Sequence, residues 1–502
     1  MTTAMSKPTT ATSTASAPST TVAEQLRQSP GVKAAIQSII GELKAKQSQI
    51  TEVRGPREPK LKQSFDEFMK RAADVRGRPL LYPYIGSGIG NGPFVELVDG
   101  SVKLDMLTGI GVHFFGHSDP DLVSVAIEAA TSDLVMQGHL ILNDDAILFN
   151  EQLVKLASRK SRLKHAFLCN SGAMANEHAL KVCFQKHSPA SRVIAFKDCF
   201  MGRSWAMAQI GDSAAGRQGL PLNVLVDYMP FYDHVAARRF TAGDISGPTR
   251  YIDMAVWHLR QYIERYPGQH ACFIFELVQG EGGFNTALPE FHRELMQVCK
   301  DAGIAVWADE IQTFGRTNEL FCFEALGLGD MIDVCCIGKM SQVCATMYTE
   351  QYNPKPGLLS GTFLGSTDAI RVGRRVLERL SSGSYYGDNG SIARHHKLFT
   401  EQVRALARKN PEWFPAVSTV PDIVGGYGGM MRFTPFGGDK DTILKLCKIM
   451  FDEGMIAFHC GHGPYHVRML PPLGVLDESI WPVAFGIIER AMARTASETA
   501  KK

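Results

Sequence analysis

Ile304-Ala305-Val306-Trp307-Ala308-Asp309-Glu310 and Asp333-Val334-Cys335-Cys336-Ile337-Gly338-Lys339 are two short apolar runs that each end in charged residues. Such runs read as strands buried inside a sheet. The same rhythm extends outward from them. His165–Cys169, Arg192–Phe196 and Cys272–Glu276 read as further strands, Ala173–Gln185 as a helix, and Pro289–Ala302 as a helix between two of the strands. Alternating strand and helix predicts an α/β domain around a mostly parallel sheet. Ligands of such sheets gather at the carboxyl ends of the strands, which is where Asp309 and Lys339 stand.

Flanking this core, the first two dozen residues are mostly Thr, Ser, Ala and Pro. They lack the apolar centre of a secretory signal and the arginines of a transit peptide, so they read as a disordered tail. Residues from Val22 to Lys70 read as polar-amphipathic helix, broken at Gly55-Pro56. Residues 1–70 therefore form a tail and a helical extension. Phe94–Val98 and Val102–Met106 flank Asp99-Gly100, a strong hairpin signal. Residues 71–125 are assigned to the N-terminal part of a small domain, 126–370 to the large domain, and 371–502 to the rest of a small α+β domain with a helix near Val372–Leu380. There is no internal repeat.

With 502 residues the chain is too long for one simple core. Its 45% hydrophobic and 21% charged content is that of a soluble globular protein. A formal net charge of +2 gives no reason to expect a nucleic acid or a membrane surface as partner, and no apolar stretch is long enough to span a bilayer. The eleven cysteines are odd in number and form no paired C-x-x-C motifs. Cys335 and Cys336 suit buried thiols better than metal ligands, so no metal is expected and a cytoplasmic setting is.

Five features could carry chemistry. Asn170-Ser171-Gly172-Ala173 follows a strand and opens a helix, which makes it either a phosphate cradle at a helix N-terminus or an ordinary helix cap. Asp309 needs a cationic or hydrogen-bonding partner if it is buried; a protonated pyridine nitrogen would serve, and so would a structural ion pair. Lys339 directly follows a buried strand and a glycine, a setting in which a desolvated amine becomes nucleophilic, unless it simply leaves for solvent. Glu276 opens Glu276-Leu277-Val278-Gln279-Gly280-Glu281-Gly282-Gly283. Arg468 lies in Val467-Arg468-Met469-Leu470-Pro471, and arginine is the usual reader of carboxylates. Each could be structural alone; together, in this order and at strand ends, they point to one site.

Four blocks in order resemble the class III pyridoxal-phosphate (PLP) dependent aminotransferases of fold type I, whose members include ornithine, acetylornithine, 4-aminobutyrate and lysine ε-aminotransferases. They are Asn170 to Glu177, Glu276 to Gly283, Asp309 to Thr317, and Lys339. The resemblance spans Tyr82 to Leu473. It implies a large domain with a mostly parallel, seven-stranded sheet and a smaller α+β domain. It also implies PLP held as a Schiff base on Lys339, which then serves as the base and acid of the proton shift. Asp309 would face the pyridine nitrogen and Gln312 the ring oxygen. Ile311 and Phe200 would cover the two ring faces, and Ser171, Gly172 and Ala173 would receive the phosphate. Thr362, in Gly361-Thr362-Phe363, would reach the phosphate of a neighbouring subunit, making a homodimer the minimum active unit, with a tetramer possible. Ile110 would line the substrate entrance. Arg468 would grip the carboxylate of 2-oxoglutarate or glutamate, with Glu276 as its partner when the donor is an ω-amine.

The sequence departs from the family pattern at several points. Met201 stands where a histidine is usual, Leu277 replaces a proline, Thr313 precedes Phe314-Gly315-Arg316, and Met340-Ser341-Gln342-Val343-Cys344 replaces a glycine-rich stretch. That last segment is similar to lysine ε-aminotransferases. The expected reaction is therefore transfer of an amino group from an ω-amino or diamino acid to 2-oxoglutarate, giving a semialdehyde and glutamate. The alternatives are an aminomutase, a decarboxylating transaminase, or a non-catalytic PLP-fold binding protein.

Overall fold

The computed structural model describes residues 20–133, 138, 140, 142–241 and 245–500. The tail expected to be disordered lies, through residue 19, outside the described residues. Three helices follow it, Val22–Gln28, Pro30–Gln47 and Pro59–Arg76, with the Gly55-Pro56 break between the second and third. The extension is tied to the body by Gln47, whose buried amide donates to the carbonyls of Gly90 and Ser118 at 2.8 Å each.

Strand β1 (Gly86–Asn91) pairs with β2 (Phe94–Leu97), and β2 with β3 (Val102–Asp105), all antiparallel. Asp99-Gly100 makes the β2–β3 turn as its composition requires: Gly100 has φ +76°, and Asp99 Oδ1 accepts from the Ser101 N–H at 2.9 Å.

The central sheet has seven strands: β4 (Leu163–Cys169), β5 (Arg192–Phe196), β6 (Leu225–Met229), β7 (His270–Phe275), β8 (Ala305–Asp309), β9 (Val334–Ile337) and β10 (Cys344–Thr349). Their order is β4-β10-β9-β8-β7-β5-β6. Only β10 runs against the others, antiparallel to both β4 and β9. Every residue of β7, β8, β9 and β10 is buried, which is why they read as unbroken apolar runs. Alternate side chains serve two cores. Val193, Ala195, Cys272, Ile274 and Trp307 pack with Ala175, Ala179 and Cys183 of helix Gly172–His187. Ile194, Phe196, Phe273, Phe275 and Val306 pack instead with Phe291 and Leu295 of helix Pro289–Asp301. The sheet is thus covered on both faces.

Two strands escape the sequence reading. β6 is an edge strand whose polar Asp227 accepts from Arg192 at 2.8 Å twice and pairs with His270 at 2.8 Å. β10 begins within a few residues of Lys339, where the sequence offers no Gly/Pro turn signal. The strand expected at Cys272–Glu276 is His270–Phe275, so Glu276 stands just past its end.

The C-terminal part carries β11 (Val424–Tyr427), β12 (Met430–Phe433), β13 (Met455–Ile456), β14 (Phe458–Cys460) and β15 (His466–Met469). Four of them form an antiparallel sheet in the order β11-β12-β15-β14. β13 pairs parallel with β3, so the N-terminal hairpin and the C-terminal part share a sheet. The helix expected near Val372–Leu380 runs Thr367–Ser382, capped by Ser366 Oγ. All eleven cysteines are free and buried. No helix among the described residues is long and apolar enough to cross a membrane.

Candidate active site

The carboxyl edge of the central sheet brings the expected residues together. Asp309 ends β8 and is buried; its Oδ1 accepts from the Ile311 N–H at 2.9 Å and its Oδ2 from Asn176 Nδ2 at 2.7 Å. Asn176 lies one turn into helix Gly172–His187 and also donates to the Met201 carbonyl at 2.8 Å. Burial lifts the Asp309 carboxyl to about 6, against the pull of these donors. Asn176 was quoted in the phosphate-turn motif with no role assigned. Its signal is positional: a short polar side chain on the buried face of a helix.

Ser171 caps the same helix, its Oγ accepting from the Met174 N–H at 3.2 Å. Gly172 and Ala173 are the first two helical residues, where backbone N–H groups have no helical acceptor. Gly172 cannot carry a side chain easily, because a Cβ there would lie 3.0 Å from the Ile311 side chain. A Cβ on Gly338 would lie 3.1 Å from Ile311, so that isoleucine is wedged between the turn and the residue preceding Lys339.

Lys339 follows β9 in a left-handed conformation, φ +54°, and Gln342 closes the turn at φ +64°. A lysine held there is strained relative to a glycine, as residues at functional sites often are. Burial lowers the affinity of its amine for a proton, with Glu281 and Asp309 acting in the opposite sense. Gln342 Nε2 donates to the Val112 carbonyl at 3.4 Å, tying this turn to the loop of Thr108, Gly109, Ile110 and Gly111, all four with positive φ. Ile110 is therefore placed against the lysine turn, half-buried on the main core.

The carboxylates past β7 correct the sequence reading. Glu276 does not pair with Arg468. It is buried, and it accepts from the N–H groups of Phe200 at 3.0 Å and Gly280 at 2.8 Å. Burial, then repulsion from Asp309, raises it to about 8. The partner of Arg468 is Glu281, through two parallel bonds of 2.7 and 2.9 Å. Both glutamates stand in one motif, and only the chain's turn at Gly280 decides which of them reaches β15. Arg468 is 0% exposed, flanked by the rings of Phe284 and Phe458. Burial works against its charge, yet Glu281 keeps its affinity for the proton raised, and Arg468 in turn holds Glu281 low against burial.

Gln312 and Phe200 border the same glutamate loop and offer a ring-shaped group one side-chain amide and one aromatic face. Gln312 Oε1 is buried without a hydrogen-bond partner, and Gly280 makes room for that amide, since a Cβ would meet it at 2.5 Å. Phe200 is half-buried with Arg203 over its ring at 5.6 Å. Met201, at the place where the family usually has a histidine, is buried and apolar. Thr362 stands apart from this cluster: it is exposed, and an added Cβ on Gly138 would lie 2.6 Å from its carbonyl oxygen.

The description "Aminotransferase class-III" matches residues 85–492. Acetylornithine aminotransferase of Bacillus anthracis is 27% identical over 397 residues, which is 78% of this chain and 90% of that protein. Diaminobutyrate–2-oxoglutarate transaminase of Nocardia farcinica is 27% identical over 427 residues, covering 82% and 91%. Among solved structures, lysine aminotransferase from M. tuberculosis matches with a TM-score of 0.71 at 20% identity, over 85% of this chain and 99% of that one, a likeness of fold.

Proposed function

The chain belongs to the class-III aminotransferases, which are PLP-dependent transaminases, and from that membership we propose that it transfers an amino group from an ω-amino or diamino acid to 2-oxoglutarate, giving a semialdehyde and glutamate. The observation that carries this reading is the bidentate Glu281–Arg468 pair within electrostatic reach of Lys339. A dicarboxylate acceptor would displace Glu281 and take the same two guanidinium donors. An amine end would leave the pair closed. One site could so admit a carboxylate and an amine in turn.

The residues that would hold the cofactor are Ser171, Gly172 and Ala173 at its phosphate, Asp309 at its ring nitrogen, Gln312 at its ring oxygen, and Ile311 and Phe200 on the two ring faces. Bound there, PLP supplies an aldehyde to the donor's amine and a ring that withdraws electrons from it. Lys339 Nζ, its proton affinity lowered by burial, would accept a proton from the donor carbon and return it. Asp309, at about 6, is mostly ionised at neutral pH, and a cation beside it would deepen that ionisation. Two copies would act together, with Thr362 of each reaching the phosphate site of the other.

The test is spectroscopic. Protein loaded with PLP should absorb near about 420 nm, and a productive donor should move the band toward about 330 nm, with 2-oxoglutarate reversing the change. L-Lysine, ornithine, 2,4-diaminobutyrate and 4-aminobutyrate are the donors to try beside glutamate; if glutamate is active and none of the four is, the ω-amino reading fails. Glu281→Gln should lower KM for 2-oxoglutarate and slow the ω-amine half-reaction. Equal effects on both halves would remove the proposed role of the pair.

A further inference from the structure

β12 sets Arg432 directly opposite Arg468 of β15. The two arginines differ in their company. Arg432 is 5% exposed and has no ion-pair partner among the described residues. Its Nη1 donates to Thr434 Oγ1 at 3.1 Å, while Nε is buried with no hydrogen-bond partner at all. The guanidinium lies over Gly425 of β11, where a Cβ would come within 2.5 Å of Cζ and 2.6 Å of Nη2. Packing over a glycine explains why the group rests there, but supplies no acceptor for the Nε–Nη2 edge. A buried guanidinium short of an acceptor is costly, and that edge is the fork that reads planar or tetrahedral oxyanions.

Arg432 lines a cleft of about 730 Å³ between the C-terminal sheet and the loops at the carboxyl edge of the central sheet, a size typical of small-molecule sites. None of Lys339, Asp309, Gln312, Phe200, Glu276, Glu281 and Arg468 lines it, although Phe284, which does, stands 5.8 Å from the Arg468 guanidinium, so it adjoins the Lys339 site without sharing its residues. Its polar groups favour an anion. Asp422 is held by Arg404 at 2.8 Å. Asp233 is occupied in capping helix His234–Arg239. Lys197 and Arg238 add positive charge to Arg432, against Asp198. His466 also lines the cleft, its Nδ1 2.8 Å from the Thr434 Oγ1 that accepts from Arg432.

We propose that this cleft is a second ligand site, separate from the transamination site, which binds a small oxyanion-bearing metabolite through the Nε–Nη2 edge of Arg432. The shared chemistry is a carboxylate or a phosphate group. The experiment is calorimetric titration of the PLP-loaded, full-length enzyme with inorganic phosphate and, separately, with succinate. Wild type is compared with Arg432→Gln and with Gly425→Ala, which keeps the charge but displaces the guanidinium. Expected is saturable binding of at least one probe to wild type, weakened about tenfold or more in both variants. Loss confined to phosphate assigns a phosphate-bearing ligand, and loss confined to succinate a carboxylate-bearing one. Binding of neither probe in the millimolar range, or binding equal in all three proteins, overturns the proposal. Should the variants not fold, wild-type crystals soaked in selenate and in succinate give the answer. Density within hydrogen-bond distance of Nε or Nη2 supports the site, and its absence with both probes overturns it.

Discussion

The carboxyl edge of the central sheet and the four-stranded C-terminal sheet both bury charge, and they handle it differently. At the sheet edge Glu276, Asp309 and Glu310 are met mainly by backbone N–H groups: those of Phe200 and Gly280, of Ile311, and of Cys322 and Phe323. Such donors are uncharged, so burial prevails and all three carboxyls are raised, to about 8, 6 and 7. On the C-terminal sheet the two arginines rely on side chains instead. Arg468 finds Glu281, and Arg432 finds only a threonine hydroxyl. A buried carboxyl with no charged partner leaves room for a cation, and a buried arginine for an anion. The site is built where the two regions face each other.

The largest effect expected at the acidic edge is from Lys339→Ala, which should lower the transamination rate by about 10⁴-fold and abolish the absorbance near about 420 nm; a variant that kept both would break the assignment of the lysine. On the basic side, Arg468→Ala should destabilise the protein by about 3 kcal/mol, because it empties a fully buried site and leaves half-buried Glu281 without its cation. Glu281→Ala should cost a comparable amount, with the difference that succinate restores much of the melting temperature by replacing the lost carboxylate. If succinate has no such effect, Arg468 is a structural cation and not a carboxylate receptor.

The same contrast explains what was legible in the sequence. The acidic edge could be read because strand, strand end and turn are contiguous: Arg192–Phe196 matched to the residue, and Asp309 and Lys339 fell where strands stop. The lysine's left-handed turn and the Asn176 bridge to Asp309 are invisible in composition, but their residues lie inside quoted motifs. Partner choice was not legible. Glu276 and Glu281 sit in one block and differ only in which way the chain turns at Gly280, and nothing local records that Arg468 lies across the cleft. β6 and β10 were missed for a related reason, since an edge strand with a charged residue and a strand begun straight after a functional turn break the apolar pattern from which the others were recognised.

A smaller effect tests the acidic edge by pH. Glu276 titrates ordinarily near 4.5 and is held near 8 in the fold. A carboxyl raised on folding favours the protonated state, so its stabilising contribution is complete below the unfolded value and is lost as pH climbs through the folded one. Between about pH 7 and 8, above the ordinary range of histidine, stability of the cofactor-free protein should fall by about 1 kcal/mol per pH unit. Glu276→Gln should flatten that slope. A wild-type stability that rises over the same interval would mean the carboxylate is ionised in the fold and the backbone donors outweigh burial.

The smallest effect belongs to the arginine without a carboxylate. Arg432→Met keeps the apolar stem that covers Gly425 and removes a cation whose Nε has no partner, so the stability change should stay within about 1 kcal/mol in either direction. This is well below the loss expected on its cross-strand neighbour Arg468, although the two side chains occupy paired positions on adjacent strands and are similarly buried. The difference should narrow when an anion is added. A ligand that binds only the folded wild type raises its melting temperature by mass action and leaves the methionine variant unmoved. A loss of about 3 kcal/mol or more without any added anion would put Arg432 in the same class as Arg468, with an acceptor already supplied by the protein, and the two paired arginines of the C-terminal sheet would then no longer differ in the way that makes one of them a receptor in waiting.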